Sequence, residues 1–186
     1  MSTASRTLAT LDDLYREKGK AELIAGRIVR LMPTGRKPSR AAFRIARSLD
    51  DHATMTGRGE AFADNTSYVV PQLASGRRSF APDASFYIGP PSDDEMRFID
   101  GPPTFAVEVR SEHDYGSAAE AEMAAKRADY FEAGTLVVWD VDLLAGVVRK
   151  YRSDAPDVPT VYDESAHADA EPAVTDWSMA VKRILG

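Results

Sequence analysis

Two acids stand in stretches that otherwise read as buried strand. Glu108 lies in the middle of the β-branched and aromatic run at 104–111 (TFAVEVRS), and Asp83 follows Pro82 within the run at 79–88 (SFAPDASFYI). An ionised group in an apolar setting must be paired or must bind a metal, because leaving it alone there is too costly. Two such acids on successive strands, followed by Lys126 on a predicted helix over 118–133, suggest a metal-dependent site able to activate water. Glu22, in the first predicted hairpin, either supports that site or pairs with a basic residue of its own hairpin.

Each of these residues has a plainer explanation. Glu108 could be half of a buried ion pair with Arg110, since residues two apart share a strand face. Asp83 could be an ordinary turn residue beside proline. Lys126 lies opposite the helical stripe Ala121, Ala124, Ala128 and Phe131, which would leave it in water. Met123 and Tyr130, however, share its face and would cover it. Tyr130 itself reads as packing.

Other chemistries fit poorly. The 186-residue chain has no cysteine, which excludes disulfides and thiolate metal sites. His52, His113 and His167 show no zinc-ligand spacing. Ser111 lacks the strand–turn–helix setting of a nucleophilic serine. A net charge of −6 argues against strong non-specific nucleic-acid binding but leaves room for a basic face. Arg36, Lys37, Arg40, Arg44 and Arg47 could receive phosphates; Asp50 and Asp51 follow at once, so a solvated helix face is the commoner explanation.

The elements that must hold these residues follow from the pattern. Residues 1–10 read as a frayed start, with Thr10 as N-cap of a helical turn over 11–17. Apolar runs at 21–24 and 27–31 flank Ala25-Gly26 and predict a hairpin. Residues 33–38 read as a basic loop. Ala42, Ile45, Ala46 and Leu49 recur at helical spacing and predict a helix over 39–55, stopped by Gly57. Strands are expected at 60–63, 67–70, 79–88, 104–111, 136–141 and 146–151. Between them lie a surface loop at 90–103, a candidate lid, and a helix with a Ser117/Glu120 capping box that ends at Gly134. The tail at 153–171 reads as polar with one weak strand near Val161, and 177–185 as a helical turn. This order predicts one α/β (α+β) domain over 11–186, a mixed sheet with a helix on each side. No stretch is apolar enough for a membrane span or a secretory signal, so a soluble cytoplasmic chain is expected.

Taken together, Glu22-Leu-Ile-Ala-Gly-Arg-Ile-Val29, Ala81-Pro-Asp83, Val107-Glu-Val-Arg-Ser111, Lys126, Tyr130 and Trp139-Asp-Val-Asp142 resemble the Uma2 family (DUF820) over nearly the whole chain. That family belongs to the PD-(D/E)xK superfamily of restriction-endonuclease-like folds. The superfamily lysine stands two residues after the acid, where this chain has Arg110; Uma2-like proteins commonly carry it on the following helix, which matches Lys126. The family's proline after the position of Ser111 is Glu112 here, and the histidine it carries after the first hairpin corresponds to Arg40.

The resemblance implies an endonuclease that hydrolyses DNA with Mg2+, or Mn2+ in its place, and metal-activated water. Asp83, Glu108 and the Val109 carbonyl would hold the ion, Lys126 would assist the water, Glu22 would support the site, and no small organic cofactor is implied. Cutting both strands calls for a homodimer, with edge strands in the hairpin or after Gly146 as the interface. The alternative is a catalytically inactive nuclease-fold protein with a binding or regulatory role, which a Glu108–Arg110 pair would favour.

Overall fold

The structure, a computed structural model, describes residues 8–91 and 94–186. It opens with α1 (Leu11–Arg16), where Thr10 and Asp13 form a reciprocal capping box. The strands β1 (Ala21–Ile24) and β2 (Arg27–Arg30) form the expected hairpin. Its two turn residues, Ala25 and Gly26, have φ of 48° and 66°, the left-handed pair that a tight two-residue hairpin turn requires.

Next come α2 (Arg36–Thr56), β3 (Glu60–Ala63), β4 (Tyr68–Val69), β5 (Ser79–Phe80), β6 (Ala84–Tyr87), β7 (Ile99–Asp100) and β8 (Phe105–Val109). After them run α3 (Ser117–Ala133), β9 (Val137–Asp142), β10 (Val147–Arg152), β11 (Ala155–Tyr162), β12 (His167–Ala170), β13 (Val174–Ala180) and α4 (Val181–Leu185).

The fold is α+β, built on a six-stranded mixed sheet in the order β11-β10-β9-β8-β6-β3. Its central strands β8 and β9 are parallel and so need a crossover, which α3 supplies. Alternation divides β8 between two layers. Phe105, Val107 and Val109 face α2, meeting Ile45, Leu49, Trp139 and Trp177 in the larger core. Ala106 and Glu108 face α3, where Ala106, Val138, Phe80 and Tyr130 form a second core. Every chemically suggestive side chain of β8 therefore lies on the α3 face.

Several elements differ from their sequence expectation. The helix α2 begins at Arg36, so Arg36, Lys37 and Pro38 are its first turn; proline is tolerated there because its missing N–H has no partner to lose. The run at 79–88 is two strands, because β5 pairs with β4 while β6 pairs with β3 and β8, and the change of sheet falls at Pro82-Asp83. Within 90–103, β7 pairs in parallel with β4, and Phe98 stacks on Tyr15 at 4.1 Å; residues 92–93 lie outside the described residues.

The Ser117/Glu120 capping box does not form: Gly116 is the N-cap, without a side-chain bond, and Glu120 instead accepts from Arg110. The tail carries three strands. Proline at 156 and 159 disguised the edge strand β11, and β13 extends to Ala180, so only 181–185 are helical. The frayed start assigned to 1–10 lies outside the described residues up to position 7; beyond that, Ala9 N–H donates to the Gly26 carbonyl.

The β9–β10 turn depends on one carboxylate. Asp142 accepts from the N–H groups of Leu144 (3.2 Å) and Ala145 (2.9 Å), from Tyr115 Oη (3.2 Å) and from Arg149 (3.0 Å). Burial alone would raise its pKa, but the Ala145 N–H, Arg149 and Tyr115 together hold it below its ordinary value of 3.8. A lowered folded pKa contributes stability above the ordinary value and loses it as pH falls through the lowered one. Asp142→Asn is therefore expected to cost about 1–2 kcal/mol at pH 7, with the difference from wild type shrinking below pH 3.8. Urea denaturation of both proteins across that range measures it.

Candidate active site

The α3 face of the sheet holds a connected set of charges. Glu22 projects from β1 with its side chain only 3% exposed. One of its oxygens accepts the Ala81 N–H at 3.0 Å and faces Lys126 Nζ at 3.1 Å, and the other is bound by Arg77 Nη1. Arg77 in turn donates Nε to Asp129 on α3 at 2.7 Å. Lys126 also meets Glu108 at 2.8 Å, and Tyr130 donates its hydroxyl to the same Glu108 oxygen at 2.7 Å. Strands β1 and β8, the turn before β5, and α3 are thus tied together through ionised groups.

Asp83 sits at the break between β5 and β6. Its Oδ2 accepts the Val109 N–H at 2.8 Å and its Oδ1 meets Lys20 Nζ at 2.7 Å, while Lys20 also reaches Asp64 at 2.6 Å. The bond to Val109 places this carboxylate at the end of β8, next to Glu108. Asp83, Glu108 and Lys126 retain 20%, 23% and 18% side-chain exposure, so the centre is reachable from solvent whereas Glu22 is not.

Protonation follows from this crowding. Burial raises the Glu108 pKa above the ordinary carboxyl value, and the charges of Asp83 and Glu22 reinforce the rise against the pull of Lys126 and Lys20. Burial would lower the Lys126 pKa, yet Glu108 and Glu22 outweigh it and lift the ammonium well above the ordinary lysine range. Lys20 is raised in the same way: Asp83 and Glu108 overcome its burial. Both lysines are therefore fixed cations, able to donate hydrogen bonds and offset charge but not to act as bases at neutral pH.

The donor set suits a hard divalent cation. Five carboxylates (Glu22, Asp64, Asp83, Glu108 and Asp129) share three cations (Lys20, Arg77 and Lys126), which leaves two formal negative charges in the cluster. Among the described residues no three potential ligands converge as a ready-made metal cage. An ion would therefore rest on Asp83 and Glu108 with backbone carbonyl and water, which matches the low carboxylate count that Mg2+ usually takes.

Sequence expectations are sorted by this geometry. Asp83, Glu108, Lys126 and Glu22 come together in one cluster. Arg110 does not pair with Glu108: it donates to Asp140 at 2.6 and 2.7 Å and to Glu120 at 3.0 Å, neutralising the acid directly across from Glu108 on β9. The expected apolar stripe of α3 is turned outward at its alanines, while Phe131 packs against the second core. Ala121, Ala124 and Ala128 are exposed, while Lys126, Asp129 and Tyr130 face inward. Tyr130 combines packing, stacked on Phe80 at 4.1 Å, with its bond to Glu108.

Arg40, Arg44 and Arg47 lie on α2, across the sheet from the carboxylates, and Lys37 is turned to the Leu143 carbonyl. Sequence reasoning missed Lys20, Asp64, Arg77 and Asp129. Only Asp129, three residues from Lys126 on the same helix face, carried a signal that could have found it.

Comparison with known proteins bears on the family and the fold. The sequence profile of the Uma2 family, described as "Putative restriction endonuclease", matches residues 8–182. A solved structure from Anabaena variabilis ATCC 29413, described as "a putative nuclease belonging to DUF820", superposes with a TM-score of 0.73 and 20% identity over 95% of this chain and 97% of that one, which shows a shared fold. No curated protein matches the chain.

The Arg77 links make a prediction of their own. Arg77→Ala would leave Glu22 and Asp129 buried without their shared cation, and breaking a buried pair by removing one partner costs about 3–5 kcal/mol. Chemical denaturation should show a loss of that size, whereas Arg149→Ala, which removes a partly exposed partner of Asp142, should cost much less.

Proposed function

The chain belongs to the Uma2 family, and from that premise we propose that it is a Mg2+-dependent endonuclease hydrolysing DNA phosphodiester bonds, with Asp83 and Glu108 as the protein's ligands to the ion. One observation carries this reading. Two partly exposed carboxylates, one at the break before β6 and one on the neighbouring β8, share a centre with a charged lysine, and the cluster keeps two excess negative charges. When bound, Mg2+ would offset charge on the phosphoryl group and make water a better nucleophile at neutral pH.

The chain's own residues do the rest. The Val109 N–H and Lys20 fix the Asp83 carboxylate on both of its oxygens, and Tyr130 and Lys126 fix Glu108. Lys126, held charged, presents an ammonium where negative charge would gather on the transferring phosphate; it serves as an electrostatic stabiliser rather than a proton acceptor. Glu22 is too deeply buried to touch substrate and acts by holding Lys126 in place. A two-fold dimer would bring two such centres to a duplex and allow both strands to be cut.

A second reading has one observation in its favour. Lys20 already caps Asp83, and Lys126 already caps Glu108, so the carboxylates are satisfied without a metal. That would suit a nuclease-fold protein that binds or regulates without cutting. The pairing expected to mark it, Glu108 with Arg110, does not occur.

Calorimetry with Mn2+ and plasmid cleavage in Mg2+ separate the two. Wild type is expected to bind Mn2+ and nick the plasmid. Asp83→Asn and Glu108→Gln should each lose the heat of binding. Lys126→Met should keep or strengthen Mn2+ binding, because a competing cation is gone, yet cleave about 100–1000-fold more slowly, the range for losing one preorganised donor. Wild-type protein that neither binds Mn2+ in the presence of DNA nor nicks it would favour the non-catalytic reading.

A further inference from the structure

A pocket of about 450 Å³ opens between α2 and α4, on the face of the sheet away from the carboxylates. Arg40, Arg44, Arg47, Lys182 and Arg183 line it, with Asp51 as the only acid and Phe43 as the only aromatic. In a chain of net charge −6 this is a local reversal of sign. Arg40, Arg44 and Arg47 recur at four- and three-residue steps and so form one row about 10 Å long on the helix.

These cations differ from those of the carboxylate centre in one decisive respect. Among the described residues, none of the five has a carboxylate partner within ion-pair distance, whereas Lys20, Arg77 and Lys126 each have two. Arg44 alone is fixed, donating to the Ile184 carbonyl at 3.1 Å and so tying the pocket's two walls together. Phe43 is 52% exposed, with the Arg40 guanidinium 5.8 Å from its ring centre. The half-exposed ring is therefore open to a ligand beside cations that have no carboxylate partner among the described residues.

We propose that this pocket binds single-stranded nucleic acid at a site distinct from the carboxylate centre, the arginine row and the α4 cations taking phosphates while Phe43 stacks a base. A basic groove joined to an aromatic platform is how single strands are held without sequence readout. The concave shape admits a splayed base, which a duplex does not offer. The ligand class rests on the nuclease reading above; the site rests on its own charge and shape. The sheet lies between the two sites, so the strand held here is a different segment from the one at the carboxylates.

Fluorescence anisotropy of a labelled oligothymidylate of roughly 12 nucleotides, measured in EDTA so that no cleavage occurs, tests the proposal. The double variant Arg40→Glu/Arg47→Glu should bind at least 10-fold more weakly. Its plot of log affinity against log salt should be flatter by about 1.4, the counterions of two single-strand phosphate contacts. Phe43→Ala, which changes no charge, should weaken binding at least 5-fold. A control with the same change in net charge at exposed positions elsewhere, Arg16→Glu/Arg152→Glu, should bind like wild type. Circular dichroism confirms that each variant is folded.

Wild-type binding absent in EDTA, equal losses in the control and pocket variants, or tighter binding of a duplex than of the single strand would each overturn the proposal. Its fate is separable from that of the nuclease reading. Loss of cleavage in Asp83→Asn with oligonucleotide binding intact bears only on the carboxylate centre. Undiminished binding by the pocket variants of an enzyme that cleaves bears only on the pocket.

Discussion

Charge buried beneath α3 must be paired, and that requirement organises the structure around it. Glu22 is almost wholly withdrawn from water, which would be prohibitive were Arg77 and Lys126 not on its two oxygens. Satisfying it fixes three otherwise separate pieces. The hairpin must bring β1 against the turn before β5, that turn must present Arg77 inward, and α3 must turn Lys126 and Asp129 to the sheet. Helix packing usually follows the apolar stripe, but here the ionised residues go inside and the alanines outside. An unpaired carboxylate would cost far more than a few exposed methyl groups, so the electrostatic term wins.

The same constraint leaves the carboxylate centre preorganised. Asp83 lies at a point where the chain leaves one sheet for another, and Pro82 before it has no N–H to contribute to a ladder. That break frees the Asp83 side chain to reach the end of β8 and accept the Val109 N–H. Glu108, one residue earlier, is held from α3 by Lys126 and Tyr130. Arg110 clears the neighbourhood by taking Asp140, which otherwise would set a second buried acid beside Glu108. Asp83 and Glu108 thereby each keep a lysine partner, and the acid across from Glu108 on β9 is neutralised by Arg110.

The six-stranded sheet also separates two electrostatic environments. Its α3 face carries carboxylates capped by lysine; beyond its α2 face lie cations that have no carboxylate partner among the described residues. Low-dielectric side chains fill the space between, so each field acts mainly on its own side. The modest overall acidity of the chain conceals this division, and net charge alone would have argued against any nucleic-acid contact. Where charges sit matters more than their sum.

What the sequence determined by itself is local and periodic. The Ala25-Gly26 turn, the helical spacing of α2, the β-branched runs of β8 and β9, and the two acids embedded in apolar strands were all legible, because each depends on residues close together in the chain. Order and spacing of those stretches were enough to indicate the family, and with it the mixed α+β sheet. The partners of Glu108 were not legible. Arg110, two residues away on the same strand, was the natural candidate, yet the strand ends at Val109 and the guanidinium turns to Asp140 and Glu120. Lys20 and Arg77 lie far from Asp83 and Glu22 in sequence, in a turn and a loop that carry no periodic signal. Which face of α3 is buried was decided the same way, by charges that meet only once the chain has folded. Pairing of buried charge is a property of three-dimensional proximity, and no local pattern encodes it.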